Sequence, residues 1–235
     1  MDIKKIVKNE LSGWKAWEIT WLLVACAVIT CLSVYWGDTL MGIISATTGV
    51  ACVVCTGKGK LSAYLFGVVN CALYAIISYH AKYYGETVLN TVYYVPCQFV
   101  GFFVWLKHMN LETHEVQKRH MTWKTRVLSV FGVAAGTVIG GFALRHFGGN
   151  MPFVDSFTTV TSIAAMIISI GMYAEQWWLW IGVDIFTVAL WAVDFVHGTE
   201  SISTLMMWIV YLLNAIIMCF KWEKEIINNR HSSKE

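Results

Sequence analysis

The sequence predicts an all-α integral membrane protein. Eight transmembrane helices are expected, with two parallel three-helix repeats joined by a linker helix and one extra helix at the N-terminus. Three observations carry this. The 235 residues are 57% hydrophobic and only 14% charged, with mean hydropathy +0.58, which is more apolar surface than a water-soluble domain of this size encloses. Nearly uncharged stretches of roughly 18 to 20 residues recur, the length that crosses about 30 Å of hydrocarbon at 1.5 Å per residue. The chain also resembles itself at an offset of 117 residues.

Taken in order, the spans are A 17–36, B 39–56, C 61–79, D 87–106, E 127–144, F 154–173, G 177–196 and H 203–220. A mostly polar leader precedes A and no small-residue cleavage site follows it, so A is a retained helix and not a signal peptide. B and F open at Asp38 and Asp155, whose carboxylates suit a helix N-terminus. B ends in the tight turn Gly57-Lys58-Gly59-Lys60, which lacks phosphate-loop spacing. D carries Pro96 in its middle; the missing N–H leaves the Val92 carbonyl without its helical bond and predicts a kink and hinge. E repeats glycine at 132, 136 and 140, so another helix can approach it closely. The chain thus divides into an N-terminal segment with helix A (1–36), a first repeat of B to D (37–106), an inner loop with linker helix E (107–145), a second repeat of F to H (146–222) and a tail (223–235).

With the N-terminus inside, 15 of the 17 Lys and Arg fall on inner segments and only Lys82 and Arg145 fall outside. That asymmetry puts both termini in the cytoplasm. The seven cysteines lie in or at the ends of spans, as buried thiols and not a disulfide framework. Cys52-x-x-Cys55 has no second pair beside it, and His108, His114 and His120 are expected to be solvated. No metal, cofactor or nucleic-acid partner is expected.

At the offset of 117, Asp38 meets Asp155, Ser45 meets Ser162, His80 meets His197, Tyr94 meets Tyr211, Trp105 meets Trp222, and Tyr74 meets Trp191. Helices B, C and D then overlie F, G and H without a gap. Two adjacent three-helix units would be inverted relative to each other. One extra crossing, E, restores the direction, giving the 3+1+3 plan of parallel repeats, a transporter architecture with its site between the halves.

Polar groups in hydrocarbon belong on an inner face or in a wet cavity. Helical spacing collects them into stripes: Gly67, Asn70 and Tyr74 in C; Asn90, Tyr94 and Gln98 in D; Trp180, Asp184, Thr187 and Trp191 in G; Tyr211 and Asn214 in H. Asp184 is the charge set deepest in any span, whereas Asp194 lies near the end of G and is read as hydrated. A cavity lined by these groups suits a flat solute bearing hydroxyls, with aromatics stacking on its ring and amides taking its hydroxyls. Trp17, Trp105, Trp177 and Trp222, near span ends, read as interfacial anchors.

The segments "KGKLSAYLFGVVNCALY", "YYGETVLNTVYYVPCQFVGFFVW" and "WWLWIGVDIFTVALW" resemble the PnuC family of bacterial vitamin transporters over roughly residues 36 to 222. The first-half motif runs through Gly59, Lys60, Tyr64, Gly67, Asn70 and Tyr74, then Tyr84, Gly85, Glu86, Asn90, Tyr94, Pro96, Gln98, Gly101 and Trp105. One departure is Asp184, where the family's pattern leads one to expect Asn. The resemblance implies a SWEET-like fold, uptake of nicotinamide riboside across the inner membrane by facilitated diffusion, trapping by a cytoplasmic kinase, and a homotrimer; it implies no enzyme. The family also handles thiamine and riboflavin, so another vitamin is the nearest rival. A retinal-type receptor would need a lysine deep in H, which has none. An intramembrane hydrolase would need a G-x-S-x-G nucleophile or paired aspartates, and Asp184 and Asp194 stand about 15 Å apart along one helix.

Overall fold

The computed structural model describes residues 8–81, 83–110, 112–148, 151–196 and 202–232. Among them, eight helical segments are long and apolar enough to cross a membrane. They are α1 (Ala16–Tyr35), α2 (Leu40–Lys58), α3 (Ser62–His80), a composite of α4 (Tyr84–Val88), a π-helical stretch (Leu89–Tyr94) and α5 (Val95–Lys107), then α6 (Trp123–His146), α7 (Pro152–Ile170), α8 (Gln176–Val196) and α9 (Ile202–Ser232). Each expected span is present, and α9 runs well past residue 220 into the tail.

The helix ends follow from local chemistry. Glu18 Oε2 accepts from the Lys15 N–H at 2.9 Å and starts α1. Thr39, and not Asp38, caps α2, its hydroxyl accepting from Gly42 N–H at 3.0 Å. Asp38 turns instead to α9, where Oδ2 accepts from Ser203 N–H at 3.1 Å; with two oxygens it also takes the Thr39 N–H. Asp155 lies inside the first turn of α7, which Pro152 opens. Gly59, at φ +83°, ends α2 in the left-handed conformation that only glycine adopts without strain. The α3 N-terminus is capped from a distance: the Glu10 carboxylate accepts from Leu61 and Ser62 N–H at 3.2 and 3.0 Å. Around Pro96 the chain does not simply kink. The segment before it is wound as a π-helix and returns to α-helical pairing at Val95, so the backbone changes its bonding register just where Pro96 cannot donate.

Six packing elements close a ring: α2 on α3, α3 on α4–α5, α5 on α7, α7 on α8, α8 on α9, and α9 back on α2. Outside the ring, α1 spans α2 and α9, and α6 packs on α7. Gly136 and Gly140 of α6 meet Val160 and Ser156, whereas Gly132 meets open space.

The end that carries both termini is sealed by aromatics and ions. Trp105, Trp177 and Trp222 are buried, with 0, 2 and 0% exposure, where interfacial anchors were expected; Trp17 stays 42% exposed. The Trp105 indole N–H donates to Ser169 O at 3.2 Å and that of Trp222 to Gly57 O at 2.8 Å. Both acceptors are last-turn carbonyls, which have no partner within their own helix. Beneath them Glu18 joins Lys58 at 2.9 Å and Lys221 at 2.7 Å. Glu115 of the inner loop joins Lys58 and Lys118, each at 2.9 Å, and Lys118 also pairs with Glu225. Burial alone would raise the Glu115 carboxyl, but Lys118 and Lys58 outweigh it and hold the group below its ordinary value. Lys60 is fully buried, its ammonium donating to the carbonyls of Asn9 and His114 at 3.0 and 2.9 Å; burial lowers its pKa. His120 is not a solvated residue either, lying 3.4 Å from Glu175 and 3.3 Å from Glu223.

Candidate functional site: a cavity inside the helix ring

The six-element ring encloses a cavity with a water-accessible volume of about 140 Å³, roughly ten times what one water needs. Ten of the eleven side chains collected by helical spacing, the stripe residue Gly67 having none, line it: Asn70, Tyr74, Asn90, Tyr94, Gln98, Trp180, Asp184, Thr187, Tyr211 and Asn214. The eleventh, Trp191, stands one layer back, 1% exposed, with its ring 6.1 Å from Tyr74 and 5.5 Å from Tyr83. It supports the wall and does not form it. The side chain of Asp194, and His197, Lys82 and Gly149, lie outside the described residues.

The amides are held by the frame. Asn70 Nδ2 donates to Ser45 O at 2.8 Å, and Asn70 Oδ1 accepts from the Tyr211 hydroxyl at 3.3 Å. This couples α2, α3 and α9 at one residue. Asn90 Nδ2 donates to Glu86 O at 2.9 Å inside the α4–π segment. Gln98 Nε2 faces Cys71 Sγ at 3.7 Å. Asn214 Nδ2 donates to Val53 O at 3.1 Å, and its Oδ1 accepts from the Trp21 indole at 3.4 Å. Two glycines make room for this frame. A Cβ at Gly67 would lie 2.5 Å from Gln98 Oε1, and one at Gly49 would lie 2.0 Å from the Tyr211 hydroxyl and 2.6 Å from Asn70 Nδ2. The frame satisfies part of each amide, leaving hydrogen-bonding capacity toward the cavity.

Aromatic faces supply the rest of the wall. The Tyr94 and Trp180 rings are 6.5 Å apart, and Trp208 packs between Tyr74 at 5.9 Å and Tyr211 at 5.2 Å. Trp208 was not singled out from sequence, although it sits three residues before Tyr211 on the same face. Glu86 was missed as a lining residue too, because the span was begun at residue 87 and a carboxylate just before it reads as hydrated; the helix in fact starts at Tyr84 and Glu86 lines the cavity. Asp184, 3% exposed, is the other lining carboxylate. Among the described residues the lining holds no Lys, Arg or His. Among them there is likewise no cluster of three or more His, Cys, Asp or Glu able to hold a metal.

A family model described as nicotinamide mononucleotide transporter matches residues 39–224. The chain belongs to this transporter family. It is 42% identical to the nicotinamide riboside transporter PnuC of Neisseria mucosa over 97% of this chain and 88% of that protein. The nicotinamide riboside transporter PnuC of Haemophilus influenzae is 34% identical over 95% of this chain and 97% of its own length. The crystal structure of the vitamin B3 transporter PnuC matches with a TM-score of 0.86 at 38% identity, covering 97% of this chain and 99% of that one. As a member of the nicotinamide mononucleotide transporter family the chain is a multi-pass membrane transporter and not an enzyme. The family match begins at residue 39, after α1, yet the structural likeness covers nearly the whole chain.

Proposed function

We propose that this protein takes up nicotinamide riboside by facilitated diffusion, through alternating access between the repeat α2–α5 and the repeat α7–α9, with the cavity as its binding site. The observation that carries this reading is the charge of the wall: Glu86 and Asp184, aromatic faces and amides, and no cationic side chain among the described lining residues. Nicotinamide riboside carries a fixed pyridinium, which carboxylates neutralise and aromatic faces attract, while its ribose hydroxyls suit Asn70, Asn90, Gln98 and Asn214. The mononucleotide adds a phosphate, which would enter a confined acidic space without a partner. Support for the 3+1+3 repeat comes from the ring itself. Exchanging α2 with α7, α3 with α8 and α5 with α9 maps each neighbouring pair onto another neighbouring pair, and Trp105 and Trp222 anchor to equivalent helix ends. The 15 of 17 inner Lys and Arg support cytoplasmic termini in the inner membrane. The resemblance supports a homotrimer and a cytoplasmic kinase whose product, now phosphorylated, no longer fits the cavity.

The test is thermal denaturation of the purified protein with nicotinamide riboside, its mononucleotide, thiamine and riboflavin, followed by uptake into proteoliposomes. At a hundredfold excess over Kd a true ligand adds about 2.7 kcal/mol of stability. Stabilisation by the riboside alone is expected. Equal stabilisation by the mononucleotide or by thiamine would overturn the assignment.

A further inference from the structure

In a ring of two related units the two seams between units should be alike, and here they are not. The α2/α9 seam is tied along its whole length. At the end far from the termini Asp38 takes the Ser203 N–H; in the middle Asn214 donates to Val53 O; at the terminal end Trp222 donates to Gly57 O. A buried apolar cluster fills the same seam, running through Ile29, Val50, Val54 and Met207. Helix α1 then clamps it from outside. Its Glu18 reaches both Lys58 of α2 and Lys221 of α9, and its Trp21 bonds Asn214. Among the described residues the α5/α7 seam has no counterpart of α1. Its terminal end is held by Trp105 on Ser169 O and by the inner loop, where Arg119 exchanges backbone bonds with Met172 and Ala174. In its far half, among the described residues, the side-chain ties between the two elements are the Tyr93 hydroxyl on Ile163 O at 2.8 Å and a hydrogen bond between the Tyr94 and Ser162 side chains. That half contains the π-helical stretch, a winding whose register can revert to α.

We infer that the α2/α9 seam, braced by α1, is a fixed hinge line and that the far half of the α5/α7 seam is the gate through which the cavity opens. The inference rests on the transport reading above. It gives α1 a task, that of making two similar seams unequal. It also makes Leu89–Tyr94 the moving piece, so that opening carries Asn90 and Tyr94 away from the site together.

Reversible cross-links across both seams test this. A Cβ at Gly42 would lie 2.8 Å from Ser203 Oγ, so Gly42→Cys with Ser203→Cys is in reach of a disulfide. Tyr93→Cys with Ile163→Cys can be joined by a short, reducible bifunctional thiol reagent. Both pairs go into a background in which the seven native cysteines are replaced and riboside uptake is first confirmed. The Gly42/Ser203 disulfide should leave most uptake intact, and the Tyr93/Ile163 link should cut it about tenfold or more, restored by reductant, because gating is blocked while the site remains. Loss of uptake on closing the first pair, or full uptake with the second pair joined, overturns the inference. A background protein that neither binds nor carries the riboside overturns the transport reading instead, and does so before any link is made. Should the Tyr93 pair be inactive even when reduced, spin labels on exposed Val92 and Thr159 replace it, compared with labels on Ile44 and Leu213. A substrate-dependent change in the first distance with none in the second supports the gate, and the reverse overturns it.

Discussion

Two buried polar clusters, one in the cavity and one at the terminal end, are built on opposite rules. At the terminal end buried carboxylates and ammonium groups meet each other, Glu18 with Lys58 and Lys221 and Glu115 with Lys58 and Lys118, while the buried Lys60 ammonium is held by two backbone carbonyls. In the cavity Glu86 and Asp184 face aromatic rings and amides, and no cation joins them among the described lining residues. Charges taken from water are tolerated when paired and costly when not. The first cluster is therefore closed in itself and structural. The second has no internal cationic partner, the arrangement expected of a wall that receives a cationic solute.

The comparison is tested most severely by breaking the paired cluster. Glu18→Ala leaves Lys58 and Lys221, both nearly buried, competing for the charges that remain. Removing one partner of a buried ion pair typically costs about 3–5 kcal/mol, so a large fall in thermal stability is expected in detergent. The affinity of the protein that remains folded should change little. A variant of unchanged stability would show that the layer is solvated in practice and that pairing is not its purpose.

Cavity variants should behave the other way round. Gln98→Ala removes an amide that lines the cavity, and under the proposed binding mode should lower affinity by about 1–3 kcal/mol, with little change in stability. Trp180→Ala should weaken binding by about 1–2 kcal/mol through the lost cation–π face, and Trp180→Phe should recover part of it. Titration calorimetry with the riboside separates these effects from folding. If both alanine variants bind as the parent does, the cavity is not the site.

Sequence reasoning reached most of this and failed at definite points. Span lengths follow from hydrocarbon thickness, so all eight crossings were legible. The stripe Asn90, Tyr94, Gln98 was legible as one inner face, but spacing alone does not distinguish α from π winding, and the Leu89–Tyr94 register comes from backbone bonding around Pro96. A tryptophan at the end of a span carries the same signal whether it faces headgroups or a neighbouring helix end; Trp105 and Trp222 proved to do the latter, and Trp177 is buried against the Trp222 ring. Trp191 shares its helix face with Trp180 but lies about three turns further along, where Tyr74 stands between it and the cavity. Glu86 was hidden by a boundary error of three residues. Pairing across the chain, such as Glu18 with Lys221, leaves no local pattern to read.

A smaller effect probes the paired cluster by pH. Glu115 has its carboxyl held below the ordinary value of about 4.5. A carboxyl depressed in the folded state contributes stability that is complete above the unfolded pKa and is lost as pH falls through the folded one. Glu115→Gln should therefore be less stable than the parent at pH 7, by the same margin down to pH about 5, with the gap narrowing below about 4.5. A gap that stays constant to lower pH would mean that the side chain acts through packing and not through charge.

The smallest effect is expected at Asp184. A symporter needs a buried carboxyl that titrates or coordinates an ion during its cycle, whereas a facilitator needs one only to meet its substrate. Asp184 shares the cavity with Glu86, so removing one charge still leaves an anionic wall for the pyridinium, and an Asn at this position still accepts hydrogen bonds from hydroxyls. Asp184→Asn should then transport at a rate close to the parent, with affinity lowered by no more than about tenfold, the weight of one partly redundant charge. In proteoliposomes held at zero membrane potential, uptake by both proteins should stop at equal riboside concentrations on the two sides. An imposed proton or sodium gradient should not move that endpoint. Accumulation that follows a pH gradient at zero potential and vanishes in Asp184→Asn would make this carboxyl a coupling site. The cavity wall would then receive a proton and not a cation, and its contrast with the paired layer would have to be explained by the transport cycle.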